Sequence, residues 1–161
     1  MQSVSRANLL RGRLRAEESA IRPPWARQAP DFAALCDGCG RCAEACPEKI
    51  ITQDDHGYPA VDFARGGCSF CGDCVRACPT GALADDGGAP WHLVAEIGPS
   101  CFSFQGVICR ACQDRCEANA ISFRPILGGY FLPQVDAAAC NGCGACVAAC
   151  PLPAIEMRET A

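Results

Sequence analysis

Sixteen of the 161 residues are cysteine, and they do not fall at random. Three segments, CDGCGRCAEACP (36–47), CSFCGDCVRACP (68–79) and CNGCGACVAACP (140–151), share the pattern C-x2-C-x2-C-x3-C-P. A fourth, CFSFQGVICRACQDRCE (101–117), is a variant. Cys109, Cys112 and Cys116 keep the later spacing, but Cys101 lies eight residues ahead of Cys109 and Glu117 stands where the others have proline. This run is the signature of bacterial ferredoxins, whose cysteines hold [4Fe–4S] clusters. A cubane offers four iron corners, each needing one thiolate. Three cysteines spaced by two residues let one tight loop wrap three corners. Gly38, Gly40, Gly72, Gly142 and Gly144 lie between these cysteines and tolerate the dihedral angles such a loop needs. The last cysteine follows a single helical turn, which proline ends.

In two-cluster ferredoxins the fourth cysteine of each run serves the other cluster. That rule gives Cys36, Cys39, Cys42 and Cys78 for a first cluster and Cys68, Cys71, Cys74 and Cys46 for a second. By analogy Cys101, Cys109, Cys112 and Cys150 hold a third, and Cys140, Cys143, Cys146 and Cys116 a fourth. A local assignment, each motif keeping its own cluster, uses the same sixteen ligands and stays open. Structural zinc is the main rival, but it favours two short cysteine pairs a dozen or more residues apart, not three ligands on one loop. Disulfide scaffolds belong to secreted chains. The N-terminus shows no apolar signal core, and no stretch approaches the roughly 18 apolar residues of a membrane span. A soluble, cytoplasmic protein with free thiols is expected. The displaced Cys101 is the weakest of the sixteen ligand assignments.

The elements that must position these loops repeat as well. Ile50, Ile51 and Val61, Phe63 flank a turn at Asp54–Gly57, and Ile121, Phe123 and Tyr130, Leu132 flank Gly128–Gly129. Both read as β-hairpins. Each half is therefore motif, hairpin, motif. The fold expected is α+β: two tandem bacterial-ferredoxin-like modules with short helices and β-hairpins, at residues 31–86 and 99–158. A linker at 87–98 joins them, with alternation from Trp91 to Ile97 that predicts a short strand. Residues 1–30 form a basic N-terminal arm. Val4, Ala7, Leu10 and Leu14 predict a short amphipathic helix there, and IRPPWA an extended tail.

The arm holds six arginines against Glu17 and Glu18, a charge of +4, which leaves −8 on residues 31–161. A body that acidic repels phosphates, so nucleic acid is not an expected partner. The arm instead suits a protein partner. His56, His92 and the Asp54–Asp55 and Asp85–Asp86 pairs read as solvated loop residues. Phe70, Phe102, Phe104 and Phe123 are expected to pack around clusters. No nucleophile–base pair, phosphate loop, HExxH or dinucleotide fingerprint is present, so no catalytic residue and no enzyme activity are assigned.

The four cysteine groups, the odd third group CRACQDRCE and the N-terminal RGR with IRPPW (Ile21–Trp25) together resemble the NapF family over nearly the whole chain. These are ferredoxin-type accessory proteins of the periplasmic nitrate reductase system. The resemblance implies a cytoplasmic iron–sulfur protein that binds the precursor of the nitrate reductase catalytic subunit. It would assist loading or reduction of that subunit's cluster before export. An electron-transfer polyferredoxin, or the electron-transfer subunit of another oxidoreductase, needs the same ligands and is the alternative.

Overall fold

The computed structural model describes residues 20–28 and 30–160. The helix expected around Val4–Leu14 lies outside the described residues. The first half contains α1 (Asp31–Leu35), α2 (Arg41–Ala45), β1 (Ile51–Gln53), β2 (Pro59–Val61) and α3 (Asp73–Arg76). The second contains β3 (Leu93–Ile97), a 3-10 turn at Phe102–Gln105, α4 (Ala111–Asp114), β4 (Ile121–Pro125), β5 (Phe131–Val135), α5 (Ala145–Ala149) and β6 (Ile155–Glu159).

Both hairpins form where the apolar pairs predict them. Ile51 lies opposite Val61 in the first, and Ile121 opposite Val135 in the second. The first turn is held by one side chain. The Asp54 carboxylate accepts the N–H groups of His56 and Tyr58, both at 2.9 Å, which is the usual way an aspartate fixes a turn.

Closure of each half depends on a segment that comes before its first motif. In the second half, β3 pairs antiparallel with β6 over five residues, Leu93 opposite Glu159 and Ile97 opposite Ile155. The alternation predicts this strand but not its partner: the segment is no free linker, since β3 is hydrogen-bonded along its length to the C-terminal strand. Leu93 and Ala95 face inward, so the alternation reports burial.

In the first half the same job falls to residues 21–27. Ala26 bridges Leu83, the Arg27 N–H donates to the Ala82 carbonyl at 2.9 Å, and the Ala84 N–H donates to the Trp25 carbonyl at 2.9 Å. The Val61 N–H reaches the Ile21 carbonyl at 2.8 Å, and Pro23 and Pro24 are fully buried. The IRPPWA tail, expected to be extended, is interrupted by a turn at Pro24–Trp25, with Trp25 at φ 59° and the Ala26 N–H on the Pro23 carbonyl at 3.2 Å, and it is packed against the first half. Arg22 pairs at 2.7 Å with Asp54, which is largely buried instead of solvated, and Arg27 pairs at 3.0 Å with Asp86, which is exposed as expected. The Arg22 guanidinium also lies over the rings of Phe32 and Tyr58.

Each half has its own core. One gathers Phe32, Ile50, Ile51, Ala82 and Leu83 with Cys42, Cys46 and Cys74, the other Ala95, Ile121 and Ile155 with Cys112 and Cys146. Buried cysteines sit inside both cores, so whatever occupies the thiol sites is continuous with the packing.

Candidate metal centres

The third cysteine of each motif occupies the second position of a one-turn helix: Cys42 on α2, Cys74 on α3, Cys112 on α4 and Cys146 on α5. All four are 7–8% exposed. In three motifs the residue before the helix is a glycine in the left-handed region, Gly40, Gly72 and Gly144, at φ of 73–76°. That conformation turns the chain tightly between two cysteines, and glycine adopts it without a Cβ penalty. In the variant motif Arg110 holds this place at φ −130°. Seven residues lie between Cys101 and Cys109 where the other motifs have two, and this longer approach relieves the tight turn, so a full side chain is admitted.

Three hollows show which thiols meet. One is lined by Cys36, Cys39, Cys42 and Cys78, with Phe32, Pro59 and Leu83. A second is lined by Cys46, Cys68, Cys71 and Cys74, with Pro24, Trp25, Ile50 and Phe70. A third is lined by Cys101, Cys109, Cys112 and Cys150, with Ile97, Phe102 and Ile155. In each, three cysteines come from one motif and the fourth from its partner motif. Of the remaining four, Cys143 has Cys116 and Cys140 as electrostatic neighbours, and Cys146 has Cys143, Cys140 and, from the third set, Cys112. Cys101 is buried and lines the third hollow despite its displacement.

The donor set fits an iron–sulfur cluster. A tetrahedral zinc site draws four sulfurs to about 2.3 Å from one ion. Among the described residues, no three His, Cys, Asp or Glu side chains converge tightly enough for a single metal ion. Electrostatics point the same way. Burial pushes the Cys74 and Cys146 thiols up to about 12 and those of Cys68 and Cys112 up to about 11, and neighbouring thiolates add to each. Four thiolates crowded into an apolar hollow would repel one another, and the positive charge of bound iron would hold them deprotonated. Cys78 differs. Burial opposes its thiolate, but the Leu83 N–H, the Thr80 hydroxyl and nearby N–H groups outweigh burial and lower its pKa. N–H donation to sulfur recurs at Cys68 (from Phe70), Cys78 (from Leu83) and Cys116 (from Ala120), at 3.3–3.5 Å.

Of the aromatic residues expected around clusters, Phe70 and Phe102 line hollows and Phe123 packs against the second core under the Arg110 guanidinium. Phe104 does not: it is 46% exposed, because the insertion carries it outward on the 3-10 turn. Nothing in the motif spacing shows how the halves meet. The Cys68 N–H donates to the Cys143 carbonyl at 2.8 Å, joining the second and fourth cysteine sets directly. A Cβ on Gly67 would lie 2.7 Å from that of Ala145, and one on Gly144 only 2.0 Å from the Phe63 ring. Trp91 stacks edge-on against Phe63 and Phe70 and donates to the Asn141 carbonyl at 3.3 Å. Glycine on both sides of this seam is the signal in the sequence that could have revealed it, since glycine also permits close approach.

Two segments of the chain, residues 35–82 and 107–159, match the model of the 4Fe-4S dicluster domain. The chain is similar to the ferredoxin-type protein NapF of Escherichia coli K12, at 44% identity over 152 residues, which covers 94% of this chain and 93% of that protein. It is similar to NapF of Haemophilus influenzae at 45% identity over 139 residues, 86% of this chain and 79% of the relative. Similarity extends at 34% identity to the methylamine utilization ferredoxin-type protein MauM of Methylophilus methylotrophus, covering 87% and 70%.

Proposed function

Because the chain belongs to the NapF family of ferredoxin-type [4Fe–4S] proteins, we propose that it is a cytoplasmic iron–sulfur accessory protein for the periplasmic nitrate reductase. It would bind the catalytic subunit before export and assist the loading or reduction of that subunit's cluster. The observation that carries the reading is the convergence of thiols from paired motifs on shared hollows. In this reading all sixteen cysteines are ligands, in the crossed sets headed by Cys36, Cys68, Cys101 and Cys140. When bound, the clusters supply one-electron redox chemistry. The chain's own residues hold them in apolar surroundings, direct N–H groups at the ligand sulfurs and tie the two halves together. No helix among the described residues is long and apolar enough to cross a membrane.

The alternative, a plain electron-transfer polyferredoxin, is favoured by one feature. The Cys68 N–H donates to the Cys143 carbonyl, and clusters on the second and fourth sets would therefore lie beside each other, so that all four would form one series, ordered first, second, fourth, third. Co-purification decides between the two. The full-length chain, tagged and expressed with the nitrate reductase catalytic subunit carrying its export signal, should retain that subunit from the cytoplasmic fraction. Failure to retain it, together with rapid reduction by a soluble electron donor, would contradict the accessory role and favour the carrier.

A further inference from the structure

Seven of the eight large apolar side chains exposed among the described residues lie between residues 104 and 131, all in the second half. The most exposed are Leu127 at the hairpin tip, fully accessible, and Ile108 at 85%. They form one face. The Tyr130 ring packs over Gly106, within 2.8 Å of where a Cβ would sit, and Arg110 lies over both Phe123 and Phe131 at 5.1–5.6 Å. The insertion in the third motif and the tip of the second hairpin are thus stacked on each other, immediately beside Cys101 and Cys109. The first half carries nothing similar: its hairpin is shorter and its motifs have no insertion.

Charge narrows what this face fits. Residues 102–113 and 121–135 contain Arg110 and Arg124 but no Lys, Asp or Glu, in a chain with eighteen acidic residues. Neither arginine has an ion pair among the described residues. Aromatic residues and arginine with few other charges are the composition of a protein–protein interface core. An electrostatic membrane anchor uses clusters of several Lys and Arg, not two. A second copy of the chain would set the same arginines against each other, and residues 1–19, with four Arg against two Glu, have the wrong sign of charge to complement them.

We propose that the face built by the third-motif insertion and the tip of the second hairpin is a docking surface for the protein's redox partner. That partner would present a surface apolar at its centre and acidic at its rim, brought directly over the third cysteine set. The proposal rests on the accessory reading above and locates the contact that reading requires.

The test uses the full-length, cluster-loaded protein and the purified nitrate reductase catalytic subunit as probe. Ile108→Asp and Leu127→Asp change side chains that touch little of the fold, so iron content should equal that of the unaltered protein. Each should weaken binding about tenfold or more, as loss of an apolar anchor does. Leu35→Asp, at the one exposed large apolar residue among the described residues of the first half, should leave binding unchanged. Binding should also weaken as salt screens Arg110 and Arg124. Equal binding by all variants overturns the proposal while leaving the accessory reading intact. No binding by the unaltered protein overturns both. Two further outcomes also overturn it: loss of a dimer in Leu127→Asp by light scattering, which makes the face a self-contact, or capture by anionic phospholipid vesicles that Leu127→Asp abolishes, which makes it a membrane contact.

Discussion

The two halves are built on one plan and closed by different chemistry. The second half is closed by main chain: five residues of β3 paired with β6. The first is closed by a strap with a single bridge at Ala26, which leans on side chains instead: buried Pro23 and Pro24, and Arg22 clamped between Asp54 and two aromatic rings. A proline-rich segment cannot form a full ladder because it lacks the N–H donors, so ion pairs and burial replace them. The halves differ again at their outer ends. The first keeps regular motifs and a short hairpin, while the second carries the insertion, a longer hairpin and the exposed apolar face. One half reads as scaffold and the other as contact surface.

The largest effect expected from breaking this comparison is removal of the strap. Deleting residues 1–28 strips two buried prolines and the main-chain bonds to Val61, Ala82 and Ala84, at a cost of about 4 kcal/mol or more. Anaerobic iron analysis should show loss of roughly half the iron, since Pro24 and Trp25 line the second hollow. A deletion ending at residue 19 leaves every described contact in place and should retain the iron. Equal iron in both deletions would mean the strap is passive.

The seam comes next. Gly144→Ala places a Cβ in the Phe63 ring and holds alanine at φ +73°, together about 2–4 kcal/mol. Combined with Phe63→Ala, the two losses should fall short of their sum by about 1–3 kcal/mol in anaerobic thermal unfolding, because the clash is shared. Strict additivity would argue against this contact.

Smaller effects separate the two kinds of closure by pH. Burial works against the Asp54 carboxylate, but Arg22 and the N–H groups of Tyr58 and His56 outweigh it and hold its pKa below the usual carboxylate value. A depressed carboxylate stabilises the fold fully above its unfolded value, near about 4, and loses that contribution as pH falls through the folded value. Arg22→Ala should therefore cost about 1–2 kcal/mol at neutral pH and progressively less on acidification. A penalty that stays constant with pH would mean Arg22 acts through its ring contacts alone. Least of all, Arg158→Ala in the second half removes an exposed pair with Glu96 and should change stability by no more than about 0.5 kcal/mol.

Much of this was legible because it is local. Cysteine spacing set the four motifs, and apolar pairs around Asp54–Gly57 and Gly128–Gly129 set both hairpins. The alternation at Trp91–Ile97 gave a strand but could not say what it pairs with, since β6 lies some sixty residues on. The prolines of IRPPW announced extended chain, yet nothing local distinguished a free tail from a buried strap. That depended on Asp54 and Asp86, whose turn-like settings disguise their pairing with Arg22 and Arg27. The seam was invisible for the same reason: glycines in the motifs already had a reason to be there, and their second use, close approach to the other half, is a tertiary fact.

The central claim is that all sixteen cysteines, Cys101 included, serve [4Fe–4S] clusters. It is tested most directly by iron and acid-labile sulfide analysis of the full-length chain purified without oxygen. Four complete sets predict about sixteen of each per chain. A value near twelve would mean that the third set, Cys101, Cys109, Cys112 and Cys150, does not hold a cluster, and zinc in place of iron would contradict the account as a whole.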